Sequence, residues 1–391
     1  RHNVKEIKEI LVHEQTHVRE LHSADILLAQ IAIIICWINW SVYIPTLFFK
    51  ALMPHGGCNM TIDTTFKKIQ KIVGDVPVIL AGTGASIPHG IPGMPRLACY
   101  LQKELCAKYV SDASWVVISS RLDDGIDLES ALTKVTPEPS ENLIKDITTV
   151  TWKFITEFDL QCFYKLLLTG ETIPLSKLFR TLAQSSKRNI NIITTNYDRL
   201  IEYACDQAKL EIDDRFCGHY SRWTSSFSPK TQNIVNLLKV HGSLDYFKDS
   251  NGTVCSIPMQ VTVPAGFVPD IVPPGSNKYR TVLQGVHRDF LHQADNFIKA
   301  ATGFLCIGYG FNDEQIQANM LEEIKLGKPV IVVTKSISDS AASLLRNSSN
   351  NYVIIQEATD KVHKTEFIVN GEYVYTTEKY WSIDGFMNII S

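Results

Sequence analysis

Four short segments of this chain, each closing an apolar run, hold residues suited to binding or catalysis. Ala81-Gly82-Thr83-Gly84-Ala85-Ser86 ends the run that begins at Val76. Gly82 and Gly84 would let the backbone approach a pyrophosphate closely, with the following amides donating to it. The usual dinucleotide fingerprint fails at its third glycine, where Ile87 stands, and an ordinary structural turn would use the same residues. Thr194-Thr195-Asn196-Tyr197-Asp198 closes the run Asn189–Thr194, and ligands of open parallel sheets sit outside the carboxyl ends of strands. The same asparagine and aspartate suit an Asx turn or a helix N-cap. Lys239-Val240-His241-Gly242-Ser243 sets a histidine, whose ordinary pKa suits proton transfer near neutrality, beside a glycine. A single histidine also fits a structural role. Cys306 to Asp313 (C-I-G-Y-G-F-N-D) reads as a strand, a tight Gly-Tyr-Gly turn and a helix that Asn312 or Asp313 could cap. Its turn is either a floor for a nucleotide ribose or plain strand–helix chemistry. A fifth segment, His13-Glu14-Gln15-Thr16-His17, fits H-E-x-x-H. On a helix both imidazoles share a face and could bind one zinc, with Glu14 as base.

The elements that must position these residues follow from pattern. The chain has 391 residues, 45% of them hydrophobic, enough for two or three domains with a substantial core. A net charge of −3 offers no basic field for nucleic acid. Nine cysteines occur, an odd number with no C-x-x-C pair, which argues against a disulfide framework and for a reducing compartment. Val4 to Asp25 reads as a charged helix, and Ile26 to Phe49 carries no formal charge. That stretch is long enough to cross a hydrocarbon core of ~30 Å, although Gln30, Asn39 and Pro45 interrupt it. A buried helical hairpin or a non-native extension is the alternative, and the chain opens on Arg1 rather than methionine. Pro54, Gly56 and Gly57 break the pattern before Met60.

From Met60 onward apolar strands alternate with helices, which predicts a parallel sheet with crossover connections. Leu97–Lys108 reads as helix, as does most of the stretch from about 109 to 186 and Arg199–Leu210. Val235–Val240, Phe304–Ile307 and Pro329–Val333 read as strands, with a helix over Asp313–Leu326. Residues 248–280, rich in proline, read as loop-rich, and 336–391 as strand-rich.

Taken in order, Gly82-Thr83-Gly84-Ala85-Ser86, Gly90-Ile91-Pro92, Asn196-Tyr197-Asp198, His241-Gly242 and Gly308-Tyr309-Gly310 resemble the sirtuin superfamily over about 75–335. The resemblance implies an α/β fold: a Rossmann-like parallel sheet with helices on both faces and a helical insertion at about 109–186. An N-terminal helical segment precedes it. Deacylating sirtuins carry D-F-R after G-I-P, where this chain has Gly93-Met94-Pro95, and two zinc-binding C-x-x-C pairs that this chain lacks. Zinc is therefore not expected. The motifs, together with P-P-G-S-N-K-Y at 273–279, look like the sirtuin-like NAD hydrolases of bacterial antiphage defence.

That resemblance implies cleavage of NAD between nicotinamide and ribose, with water as the acceptor. Asn196 would position water or ribose hydroxyls, His241 would act as general base, and Asp198 would orient Asn196. Gly82, Gly84, Ala85 and Ser86 would hold the pyrophosphate, Gly308 and Gly310 would admit the adenosine ribose, and Pro92 and Thr195 would complete the NAD site. An always-active enzyme would exhaust its host's NAD, so an activating partner protein or homo-oligomer is expected, without nucleic-acid binding. Deacylation, ADP-ribosyl transfer and non-catalytic NAD or ADP-ribose binding are the alternatives. Residues 1–50 instead look like a fragment of membrane metallopeptidases of the beta-lactam-sensor and antirepressor type. They stop near Lys50, before any helix bearing the third zinc ligand. A cytoplasmic location is expected for 60–391, with membrane association if 26–49 is a span.

Overall fold

The computed structural model describes residues 61–185, 189–224, 234–275, 285–360 and 362–391. The expectations for residues 1–59, including the span at 26–49 and the H-E-x-x-H segment, lie outside the described residues, as do positions 276–279 of the proline-led motif. Among the described residues no helix is long and apolar enough to cross a membrane.

Helix α1 (Ile62–Gly74) leads into strand β1 (Val78–Ala81), and five helices follow: α2 (Met94–Leu105), α3 (Ala113–Asp123), α4 (Leu128–Leu132), α5 (Glu141–Thr169) and α6 (Pro174–Ala183). Strand β2 (Ile190–Thr194) and helix α7 (Leu200–Ala208) come next, then β3 (Glu211–Asp213), β4 (Phe216–Cys217), β5 (Arg222–Thr224) and β6 (Ile234–Lys239). Strands β7 (Gly242–Lys248), β8 (Val254–Ser256) and β9 (Val268–Ile271) precede α8 (Gly285–Ala300) and β10 (Phe304–Ile307). The chain ends with α9 (Glu314–Lys325), β11 (Val330–Val333), α10 (Asp339–Ser348), β12 (Tyr352–Glu357), β13 (Thr365–Val369), β14 (Glu372–Thr376) and α11 (Ile383–Ile390).

Among the described residues the main sheet has nine strands, in the order β14-β13-β12-β11-β10-β1-β2-β6-β3. From β12 through to β3 every pairing is parallel. Strands such as Val-Ile-Leu-Ala, Phe-Leu-Cys-Ile and Val-Ile-Val-Val are apolar throughout because both faces are covered. Alternate residues sort cleanly between those faces. Ile79, Ala81, Leu305, Ile307, Ile331 and Val333 pack with α1, α2, α5, α6 and α7. Val78, Leu80, Phe304, Cys306, Val330 and Val332 pack with α8, α9 and α10.

The structure departs from the expected sheet in two places. Strands β12, β13 and β14 run antiparallel. Few residues separate them, Asn370 and Gly371 closing the last link at positive φ, and a parallel return needs a dozen or more residues. Residues 248–280, expected to be loop-rich, also contribute β8 and β9 to a second antiparallel sheet, five-stranded among the described residues, in the order β4-β5-β8-β7-β9. Strand β9 is an edge strand, which lets it carry Pro269.

The long helix α5 is tied to the rest by buried charge. Asp159 accepts from the backbone N (2.7 Å) and from Nε (2.8 Å) and Nη2 (2.5 Å) of Arg199, and from Tyr203 Oη at 2.6 Å. Arg199 Nη1 reaches Asp245 Oδ1 at 2.7 Å, and Trp152 Nε1 donates to Leu244 O at 2.8 Å. Asp159 is wholly buried and Arg199 nearly so. Removing one member would strand the other's charge out of water. Asp159→Ala should therefore cost about 3–5 kcal/mol in denaturant unfolding. A loss under about 1 kcal/mol, the range of an exposed pair, would show that this network does not anchor α5.

Candidate functional site

Strand order reverses at β1: the chain moves to β2, β6 and β3 on one side and to β10, β11 and β12 on the other. A crevice for ligands opens at such a point, outside the carboxyl ends of the strands. The segments after β1, β2, β6 and β10 all leave from that edge, because these strands are parallel.

The glycine turns after β1 and β10 are packed into one another. Gly82 N donates to Ile307 O at 3.0 Å, Gly84 N to Gly308 O at 3.1 Å and Gly308 N to Val333 O at 2.9 Å. A Cβ on Gly82 would lie 2.5 Å from Gly308 O, one on Gly84 2.7 Å from Gly308 Cα, and one on Gly308 2.4 Å from Ala85 N. Gly308 also sits at φ 54°, where L side chains are strained. Glycine at these three positions is therefore required by protein backbone. Gly82 still lines the cavity described below, as does Gly310, whereas Gly84, Ala85, Ser86 and Gly308 do not.

The Asn196 loop is fastened to the first turn. Thr194 Oγ1 donates to Ala81 O (2.9 Å) and accepts from Asn196 N (3.1 Å). Asn196 Nδ2 donates to Gly82 O (3.0 Å) and to Ser86 Oγ (3.2 Å), and Ser86 Oγ donates to Asp198 Oδ1 at 3.0 Å. Asp198 Oδ1 also accepts from Leu200 N at 3.2 Å, so the Asx-turn reading and the positioning reading hold together. From beneath, buried Lys239 donates to the carbonyls of Tyr197 (3.2 Å) and Asp198 and pairs with Glu202 at 2.8 Å. The amide of Asn196 is thus held at its nitrogen, while its Oδ1 is buried without a partner. A buried unpaired acceptor costs about 1–3 kcal/mol, which a ligand hydroxyl or water would recover.

His241 follows β6. Its carbonyl accepts from Val272 N at 2.8 Å, and Gly242 turns at φ 85°, where a Cβ would lie 2.1 Å from Asp270 O. His241 Nε2 lies 2.7 Å from Asp313 Oδ2, and both residues are buried. Asp313 caps α9, its Oδ1 accepting from Gln315 N at 3.1 Å and Ile316 N at 3.2 Å. Behind this pair Asp270 sits between Lys248 (2.6 Å) and His287 Nε2 (3.1 Å), while His287 Nδ1 lies 3.2 Å from Val240 O. Burial pushes the Asp270 carboxyl up, but the hydrogen bond and charge of His287 and the Lys248 cation hold it below its ordinary value.

Two adjoining cavities result. One of about 120 Å³ is lined by Gly82, Thr195, His241, Tyr309, Gly310 and Asp313, among others. The other, about 20 Å³, takes in Pro92, Thr195, Asn196 and Asp198. Thr83, Met94, Thr195 and Tyr197 line both. A groove of about 510 Å³ adjoins the first and shares Glu129, Asn312 and Asp313 with it. A larger groove, about 740 Å³ around Lys177, Arg180 and Asp384, contains no residue of the four segments, so size does not select the site. Among the described residues no cluster of three or more His, Cys, Asp or Glu could hold a metal ion.

The sequence reading missed Lys239 and Glu129 and saw Asp313 only as a cap. Lys239 and Asp313 both lie inside the quoted segments, at one end of each.

Residues 190–363 match the family of SIR2-like domains, a span that holds Asn196, Asp198, His241, Gly308, Gly310 and Asp313 but not the first glycine turn. Among solved structures, one from a study of the mechanism and regulation of Sir2 enzymes is 14% identical, covering 74% of this chain and 92% of that one, with a TM-score of 0.41. A Sir2 homolog in complex with NAD is 14% identical over 78% of this chain and 92% of its own, at a TM-score of 0.38. Sir2Tm bound to a propionylated peptide is 12% identical, covering 73% and 91%, at 0.37. No curated protein sequence matches the chain.

The Asp198 carboxyl is held above its ordinary value, first by burial, with Lys239 opposing. Ionisation of Asp198 therefore costs stability, and that cost appears as pH rises from the ordinary carboxylate range through the folded value. Asp198→Asn keeps both acceptor contacts and removes the charge. In denaturant unfolding its stability relative to wild type should improve steadily as pH climbs through that window. An offset that does not change with pH would contradict a raised carboxyl.

Proposed function

We propose that this chain hydrolyses NAD to ADP-ribose and nicotinamide. The observation that carries the reading is the pairing of two groups at the reversal point of a parallel sheet. They are Asn196, with an unpartnered buried Oδ1, and His241, held by Asp313, opening on adjoining cavities. The SIR2-like match over residues 190–363 supports the same reading.

In this account the nicotinamide–ribose unit enters the inner cavity and the rest of the dinucleotide extends into the adjoining groove. Thr195, Gly82 and Gly310 line its path, and the Pro92 loop closes the smaller cavity. Gly84, Ala85, Ser86 and Gly308 shape the turn whose outer surface meets the pyrophosphate. The C1′–N bond breaks, its electron pair leaving on the nicotinamide nitrogen, and the ribose carbon takes on oxocarbenium character. Asn196 Oδ1 accepts a hydrogen bond from the attacking water or a ribose hydroxyl, and Asp198 holds the loop through Ser86. His241 takes the water proton as the oxygen bonds to C1′. Glu129 lines the same cavity, where a carboxylate would oppose the developing positive charge. Residues 60–391 would form the catalytic unit. The resemblance to antiphage hydrolases extends the reading to a defence role by NAD depletion, released by a partner or by oligomerisation.

Full-length chain incubated with NAD, together with a candidate activator where needed, should release nicotinamide and ADP-ribose in equal amounts. Asn196→Ala and His241→Ala should each lower the rate by about 10²-fold or more. Equal product from wild type and both variants would contradict these roles. Release only when an acyl-lysine peptide is added would assign deacylation instead.

A further inference from the structure

The Asp313 carboxylate joins two tasks that need the same rigid placement. One oxygen holds the first turn of α9 through Gln315 N and Ile316 N, and the other lies 2.7 Å from His241 Nε2. The residue is almost wholly buried, as is His241. The preceding turn is fixed by Gly308 at φ 54° and Phe311 at φ 57°, and the Tyr309 and Phe311 rings pack edge-on at 5.2 Å. The carboxylate therefore has little freedom to leave the imidazole.

We infer that Asp313 is the positioning residue for His241: its carboxylate, 2.7 Å from Nε2, keeps the hydrogen on that nitrogen by its charge, so that the neutral ring carries its basic lone pair on Nδ1, and it steadies the imidazolium that forms on proton uptake. The helix N-terminus favours the ionised carboxylate, so the proton stays on the histidine. Two charged neighbours among the described residues are engaged elsewhere. Lys239 is turned onto the carbonyls of Tyr197 and Asp198, and Asp270 is engaged by Lys248 and His287. Glu129 and the phenols of Tyr197 and Tyr309 line the same cavity.

This inference rests on the proposed NAD cleavage only for its kinetic arm. Histidine-selective ¹⁵N NMR on the full chain reads the pair directly, with His241→Gln assigning the signal. In the wild type His241 should appear as the Nε2–H tautomer; an Nδ1–H tautomer overturns the inference with no variant needed. Asp313→Asn preserves the helix cap, since asparagine caps as well as aspartate. It should lower the His241 pKa by about 1 unit or more, as loss of an adjacent opposite charge does. The same variant should reduce kcat for nicotinamide release about 10- to 100-fold with little change in KM, and move the acid limb of the pH–rate profile to lower pH. An unchanged His241 titration, or an unchanged kcat beside a lowered pKa, overturns it. No nicotinamide release from the wild type would remove the proposed reaction, while tautomer and titration would still decide the pair.

Discussion

Two turns on neighbouring strands occupy nearly the same space. The exit of β1 and the exit of β10 approach until a single methyl group on Gly82, Gly84 or Gly308 would overlap backbone atoms of the other turn. This contact sets where both strands end relative to each other. It fixes Gly82 O, to which Asn196 donates, and it directs the chain beyond Gly310 toward Asp313, which meets His241. The cleft is shaped by backbone packing first and by side chains second.

The polar residues on this scaffold would be costly if left alone. Asn196, Ser86, Asp198 and Lys239 are all buried, and each donor among them is aimed at an acceptor. Burying a charge or amide without such partners costs several kcal/mol, so the network can persist only as a complete set. One acceptor it leaves unused beside the cavities is Asn196 Oδ1. That exception is the natural place to look for ligand chemistry, because rigid surroundings prevent the amide from turning away.

How much of this was legible in the sequence depended on the range of the interaction. Strands buried on both faces announce themselves as short apolar runs, and β1, β2, β6, β10 and β11 were placed to within two residues. The antiparallel sheet was not foreseen because the stretch around Pro269 is loop-rich and its strands are short, and only the pairing partner shows that β9 is an edge. Gly82, Gly84 and Gly308 were singled out as candidates for close approach, and close approach is what they make, but to each other. Asp313 illustrates the limit most clearly. Its cap depends on residues two and three positions away and was foreseen; its contact with His241 joins segments more than seventy positions apart, which no local pattern encodes.

The central claim is that the cleft at the exits of β1, β2, β6 and β10 is where NAD sits. Hydrogen–deuterium exchange on the full chain carrying His241→Ala, with and without saturating NAD, tests it without turnover. The account predicts slowed exchange in peptides covering 82–86, 194–198, 239–243 and 308–313, with the groove around Lys177 and Asp384 unchanged. Protection confined to that groove, or none in the four segments at saturation, would contradict it.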